Sequence, residues 1–186
     1  VTYEQIKEFT DSLSLTARGT PIELRDYQVE AVQVAIDRKR TMLISPTASG
    51  KSAIIYSTMR WHLKEGRKCI IIVPSTSLVE QMYADFEDYS TSNGFSVEDR
   101  MQKLYSGFTK DFTKDVLITT WQSIFRQPKA WFRQFDVVFG DEAHNFKASS
   151  LSSVMEKMDC VEYRIGTTGT IDDSKVNKLS LEGLFG

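Results

Sequence analysis

Thr41-Met42-Leu43-Ile44-Ser45-Pro46-Thr47-Ala48-Ser49-Gly50-Lys51-Ser52 is the stretch on which the fold turns. Residues 41–45 are a short apolar strand, residues 45–52 a loop of small residues, and a helix runs from about residue 51 to 64. A loop between strand and helix aims successive backbone N–H groups, and the positive end of the helix dipole, at an anion. Gly50 lets the backbone approach a phosphate, Lys51 can neutralise β/γ-phosphates, and the Ser52 hydroxyl can ligate Mg²⁺. Ser45 stands where the general P-loop pattern has its first glycine, and Gly-Lys-Ser alone also occurs in ordinary turns. The strand–loop–helix setting is what favours phosphate.

The same alternation continues on both sides. Residues 69–73, Cys-Ile-Ile-Ile-Val, are β-branched and unalternating, as in a strand buried on both faces. Helical spacing follows over residues 77–90 through Leu78, Met82 and Phe86, and residues 91–94 break it. Short strands are predicted at residues 103–105, 116–119, 136–139 and 162–166, with helical patterns at 121–125, 129–134 and 149–158. Upstream, Asp26 reads as the N-cap of a helix to about residue 38, with Val29, Val32 and Ile36 on one face. Residues 3–13 carry Ile6, Phe9 and Leu13 at helical spacing behind Thr2, before a break at Arg18-Gly19-Thr20-Pro21. Strands alternating with helices imply βαβ units, hence an α/β fold with a mainly parallel sheet and helices on both faces.

The 186 residues allow one full domain. With 41% hydrophobic and 26% charged residues, the composition excludes a disordered tail, a collagenous chain and a rod. The longest apolar runs, residues 69–74 and 41–45, fall far short of the roughly 20 residues of a membrane span. Residues 1–5 lack the basic head and apolar core of a signal peptide. The absence of an initiator Met points to a trimmed chain, and the polar stretch 172–186 to a connector that continues beyond it. Lys and Arg total 23 against 25 Asp and Glu, so nucleic acid could be gripped only locally. Cys69 and Cys160 sit in apolar, strand-like runs and read as buried free thiols of a reducing compartment; an inter-strand disulfide is the alternative.

A second chemical stretch, Asp141-Glu142-Ala143-His144, follows the apolar run 136–139. A carboxylate at a strand's C-terminal end can hold Mg²⁺ opposite the P-loop serine, and a second beside it can deprotonate the attacking water. Alone, Asp-Glu there is often a helix N-terminal charge pair; in one βαβ frame with Gly50-Lys51-Ser52 the catalytic reading prevails. Other features read blandly. His62 is expected to be a partly exposed helix residue. Residues 100–114 interleave Arg100, Lys103, Lys110 and Lys114 with Tyr105, Phe108 and Phe112, but Asp99, Asp111 and Asp115 offset the charge, so a solvated loop is favoured over a single-strand platform. Trp121, Phe125, Trp131 and Phe132 read as helix-to-sheet packing.

In this order the stretches resemble the superfamily 2 helicases and translocases. Asp141–His144 is similar to the DEAH form of their motif II, and Ser45–Ser52 to motif I. Leu24-Arg25-Asp26-Tyr27-Gln28 resembles the Q-motif-like element, and residues 73–81 resemble motif Ia. Ile118-Thr119-Thr120-Trp121-Gln122-Ser123 is similar to motif Ib, and Gly166-Thr167-Thr168-Gly169-Thr170 to motif III. The resemblance implies a RecA-like ATP-binding domain over residues 21–172. It makes residues 1–20 an N-terminal helix and linker toward any upstream accessory domain, and residues 173–186 a connector to a second RecA-like domain. ATP and Mg²⁺ are the implied cofactors. Arg25, Tyr27, Gln28, Pro46, Thr47, Ala48, Ser49, Gly50, Lys51 and Ser52 would bind nucleotide, with Ser52 and Asp141 on the metal. Lys51, Asp141 and Glu142 would be catalytic, Glu142 as the base. His144, Thr168 and Thr170 would couple nucleotide to movement, while Ser75, Leu78, Gln81, Thr120 and Gln122 would line the nucleic-acid backbone.

A narrower likeness, to the recombination helicases of phages within that superfamily, implies as the parent activity ATP-driven remodelling of single-stranded and branched DNA (Holliday junctions, forks, D-loops, R-loops) in phage recombination and replication repair, in the infected host's cytoplasm and without a membrane. The rivals are an RNA helicase of the DEAH group, a duplex-DNA translocase that does not separate strands, and a non-catalytic scaffold. Two departures stand out. Motif III carries Thr167, Gly169 and Ile171 where many relatives have Leu, Ala and Pro. No Gln-x-x-Gly-Arg-x-x-Arg element, the motif VI with the arginine finger, is present. Such a finger is worth about 10³–10⁵ in kcat, so these 186 residues alone are expected to bind ATP weakly, if at all, and to hydrolyse it barely.

Overall fold

A computed structural model describes residues 1–45, 48–105 and 111–169. Among the described residues six strands make the central sheet: β3 (Arg40–Ile44), β4 (Cys69–Val73), β5 (Met101–Leu104), β6 (Val116–Thr120), β7 (Val137–Asp141) and β8 (Tyr163–Thr168). Every pairing is parallel, in the order β3-β8-β7-β4-β6-β5. A parallel neighbour needs a crossover, and helices supply them. The main ones are α3 (Ala48–Lys64), α4 (Thr76–Tyr89) and α8 (Ala148–Lys157), with one-turn helices α5 (Val97–Arg100), α6 (Trp121–Ile124) and α7 (Lys129–Phe132). Ahead of the sheet come α1 (Tyr3–Ser12), the hairpin of β1 (Thr16–Ala17) and β2 (Thr20–Pro21), and α2 (Asp26–Asp37).

Side chains along a strand alternate between faces, and β4 divides accordingly. Cys69, Ile71 and Val73 join one buried cluster with residues of α1 to α4, while Ile70 and Ile72 join another with residues of α6, α7 and α8. All five β4 residues are buried, and each Ile or Val so placed contributes about 1.5–3 kcal/mol. Trp121 and Phe132 are fully buried in the second cluster, and Phe125 and Trp131 pack on it.

Several local expectations change. Asp26 is the first helical residue of α2, whose N-cap is Arg25; Gln28 Oε1 accepts the Arg25 N–H at 2.8 Å, closing the helix start from inside. The break at residues 18–21 is a hairpin in which Arg18 (φ 54°) and Gly19 (φ 76°) form the two-residue turn. Positive φ at both turn positions matches strand twist. Residues 100–104 are not loop: Arg100 ends α5 and Met101–Leu104 form the edge strand β5, where Lys103 and Tyr105 both reach Glu80 on α4. Residues 106–110 lie outside the described residues.

His62 is fully buried in α3, its ring 4.5 Å from that of Tyr163. Burial, reinforced by Arg67, lowers its imidazole to about 3. The expected exposure at a helix end fails because α3 turns this position against β8. Cys69 is buried and Cys160 exposed, both as free thiols; Cys160 misses the core because β8 begins only at Tyr163.

Candidate active site

Open parallel sheets bind ligands beyond the carboxyl ends of their strands. Here β3, β8 and β7 are adjacent, so three distant pieces of sequence end side by side: Ile44 pairs with Thr168, and Asp141 with Thr167. Backbone bonds extend the register past the strands, from Ser45 N–H to Thr168 O at 3.0 Å and from Glu142 N–H to Thr167 O at 2.9 Å.

Lys51, in the first turns of α3, is buried between the two motif II carboxylates. Its Nζ lies 3.1 Å from Asp141 Oδ1 and 2.5 Å from Glu142 Oε1. Burial alone would depress the Lys51 ammonium; Coulomb attraction to Asp141 and hydrogen bonds to both carboxylates outweigh it and hold the group above its ordinary value. Asp141 Oδ1 also accepts the Thr167 hydroxyl at 2.8 Å.

Glu142 is the hub. Its Oε1 accepts the Gly169 N–H at 2.6 Å besides Lys51, and its Oε2 lies 3.1 Å from His144 Nε2 and 3.4 Å from the Thr168 hydroxyl. The residue takes a left-handed backbone (φ 49°, ψ 40°), a conformation that costs a non-glycine residue about 1–2 kcal/mol. A Cβ at position 169 would stand 3.2 Å from Glu142 Oε1, so Gly169 admits the carboxylate to its own backbone.

A cleft of about 710 Å³ opens beside this cluster, lined by residues including Arg18, Arg25, Tyr27, Gln28, Gly50 and Tyr89. That volume suits a small-molecule ligand. Arg25 and Tyr27 are exposed to it, whereas Gln28 is buried and its Nε2 donates to Gly50 O at 3.4 Å, tying α2 to the start of α3. Ala48 and Ser49 open α3; Pro46, Thr47 and Thr170 lie outside the described residues, as does the connector 173–186. Sequence reasoning passed over Tyr89, at the end of α4. Its hydroxyl is 2.6 Å from the Ser52 hydroxyl, and burial pushes its phenol up to about 12. A contact across 37 positions leaves no local signal.

Among the described residues no group of three or more His, Cys, Asp or Glu could hold a metal unaided. Ser52 and Asp141 offer hard oxygen donors beside Lys51, which fits Mg²⁺ that takes the rest of its shell from phosphates and water. The residues expected to line nucleic acid gather elsewhere on the same sheet end. Ser75 caps α4 by accepting the Leu78 N–H, Leu78 and Gln81 are exposed on that helix, and Gln122 is exposed after β6. The pairing of Val73 with Thr120 puts the two groups together. The Thr120 side chain is buried and caps α6 through the Ser123 N–H, so it does not face a groove.

The sequence profile of the family described as type III restriction enzyme, res subunit, matches residues 21–173. The chain belongs to that family. Among relatives, the ATP-dependent DNA helicase uvsW of Enterobacteria phage T4 is 34% identical over 185 residues, covering 96% of this chain and 36% of that protein. The DNA 3′-5′ translocase XPB2 of Sulfurisphaera tokodaii is 28% identical over 176 residues, 89% of this chain and 35% of that one. The crystal structure of the UvsW helicase from bacteriophage T4 superposes with a TM-score of 0.89 at 32% identity, over 100% of this chain and 66% of that chain. This member of the res-subunit family thus has the RecA-like fold of a superfamily 2 helicase domain. The chain spans about a third of the length of the curated relatives it matches. No described helix is long and apolar enough to cross a membrane.

Proposed function

We propose that this chain is the first RecA-like motor domain of an ATP-dependent DNA helicase or translocase that remodels branched DNA in recombination and replication repair, within the cytoplasm of a phage-infected bacterium. The observation that carries the reading is the meeting of Lys51, Asp141, Glu142, Thr167 and Gly169 at the ends of three adjacent strands. The base and ribose of ATP lie in the cleft against Tyr27, Arg25 and Gln28, and the phosphates reach the start of α3. There Lys51 exchanges its two carboxylates for phosphate oxygens, and Glu142 is released to take the proton from the water that attacks the γ-phosphate. Ser52 and Asp141 would hold Mg²⁺, which would supply charge neutralisation to the phosphates when bound. His144 and Thr168 both contact Glu142 and so register its release. DNA runs past Leu78, an apolar contact, and the neutral amides of Gln81 and Gln122, which suit a chain of net charge −2.

A second RecA-like domain in cis supplies the arginine finger in this reading. ATP hydrolysis by the full-length protein is measured without nucleic acid and with single-stranded DNA, forked DNA or RNA, beside the 186-residue chain and Glu142→Gln. Stimulation by forked DNA that Glu142→Gln abolishes, with the short chain near background, is expected. A response to RNA alone would replace the DNA track, and a flat response, or vigorous stimulated turnover by the short chain, would overturn the proposal. The similarity to a protein named as a translocase supports a second reading, movement on duplex without strand separation; it predicts stimulation by duplex DNA and no unwinding of a fork.

A further inference from the structure

A hydroxyl that gives its lone pair to a cation must send its proton to another acceptor, and the placing of that acceptor fixes the direction of the lone pair. Ser52 is almost fully buried in α3. The Tyr89 hydroxyl stands 2.6 Å from Ser52 Oγ, a pair in which either oxygen can donate. The Tyr89 ring is held on its flanks, 5.4 Å from Tyr56 and 6.4 Å from Phe86 between ring centres. Tyr56 is itself fixed by hydrogen bonds with Ser90, Arg60 and Asn93. The phenol oxygen is therefore a rigid fixture rather than a group that happens to rest nearby. Tyr89 also lines the 710 Å³ cleft, so one side chain touches both the nucleotide's compartment and the metal-side hydroxyl.

The geometry points to Tyr89 as a positioning residue for nucleotide–Mg²⁺ binding: its phenol oxygen accepts the Ser52 proton and turns the Ser52 lone pair toward the cation. This rests on the reading of Ser52 as a Mg²⁺ ligand given above. No electron pair moves and no bond to carbon or phosphorus changes in this role. Tyr89 acts through Ser52, and its effect is confined to the metal-dependent part of the affinity.

The test is fluorescence titration of the full-length protein with mant-ADP, in Mg²⁺ and again in EDTA, for the wild type, Tyr89→Phe, Ser52→Ala and the double variant. Tyr89→Phe keeps the ring and removes only the hydroxyl. One hydrogen bond corresponds to a loss of about 3–10-fold. The expected result is a loss of that size in Mg²⁺, no change in EDTA, and no further loss when Tyr89→Phe is added to Ser52→Ala. A purely structural tyrosine would lower both affinities together and add its effect to that of Ser52→Ala; either pattern overturns the inference, as does an unchanged Mg²⁺ affinity. If Tyr89→Phe unfolds, mant-ADP binding by wild type and Ser52→Ala decides through Mn²⁺ in place of Mg²⁺: a Ser52 hydroxyl aimed at the cation makes Ser52→Ala lose affinity in both metals, and no loss in either overturns the role. A wild type that binds mant-ADP equally in Mg²⁺ and EDTA would instead refute the metal-site reading itself.

Discussion

Replacing Lys51 by Met tests the electrostatics of the site with no nucleotide present. Methionine fills most of the lysine stem's volume but leaves Asp141 and Glu142 facing each other without the cation between them. At an effective dielectric constant of about 20, an ammonium 3.1 Å from one carboxylate oxygen and 2.5 Å from another gains about 5–7 kcal/mol from each before desolvation is charged. Desolvation consumes most of that gain. Breaking a buried pair nevertheless costs about 3–5 kcal/mol, because the remaining charge is stranded. The Glu142 side chain is 19% exposed, so the low end, about 3 kcal/mol, is the better figure for Lys51→Met. In a domain of this size that is a fall in Tm of about 6–12 °C, read by circular dichroism at pH 7.5. Adding Glu142→Gln should restore part of the loss, since a neutral amide tolerates the site. The gap should also narrow in alkali. The Lys51 ammonium is held above its ordinary 10.5 in the folded chain, so its contribution is complete below pH 10.5 and fades as the pH rises through the folded value. A variant melting within 2 °C of wild type, or above it, would refute this account of the pair.

His62→Leu should reduce sensitivity to acid: with its imidazole lowered to about 3 against 6.5 unfolded, the wild type keeps this stability above pH 6.5 and loses up to about 1.4 kcal/mol per pH unit between 6.5 and 3. Urea titrations at pH 6.5, 5.5 and 4.5 check it, and an identical pH slope in the variant would count against the assignment. Gly169→Ala pushes on Glu142 Oε1; ATP turnover by the full-length protein should fall about 3–10-fold for a displacement of a few tenths of an ångström. Binding of mant-ADP should hardly move, and equal losses in both would mean that Gly169 serves the fold alone. Arg18→Asn places at the turn a residue that accepts positive φ, so Tm should rise by about 1–3 °C; a decrease would show that the arginine side chain stabilises the hairpin.

The α/β alternation was legible because each buried strand carries its own signature: residues 69–73 announce a two-faced burial that β4 then displays in full. The clustering of Lys51 with Asp141 and Glu142 followed from the rule that ligands gather at strand ends, once the strands were placed. What escaped depends on distance in sequence. Tyr89 is an unremarkable helix residue until Ser52 is set against it, and His62 looks exposed until β8 is laid over α3. The cap of α2 was misplaced by one residue because Gln28, rather than Asp26, makes the bond that closes the helix start. The side chain of Thr120 is spent on a helix cap for a similar reason: the turn after β6 needs an acceptor, and threonine supplies it locally.

The sheet order has a consequence for how the chain comes to be folded. Among the described residues, strand β3 lies at the edge of the sheet and pairs with β8, so Arg40–Ile44 has no described sheet neighbour until Tyr163–Thr168 arrives. A ribosome must therefore release more than a hundred residues after Ser52 before β3 meets its described partner strand. Contacts so far apart in sequence form late and slowly. The site at the ends of β3, β8 and β7 is thus closed by the last of the described strands to be made, and a chain truncated before Tyr163 should neither recognise a phosphate nor be rescued by one, whereas added nucleotide should protect amide hydrogens across β3, β8 and β7 as a single unit.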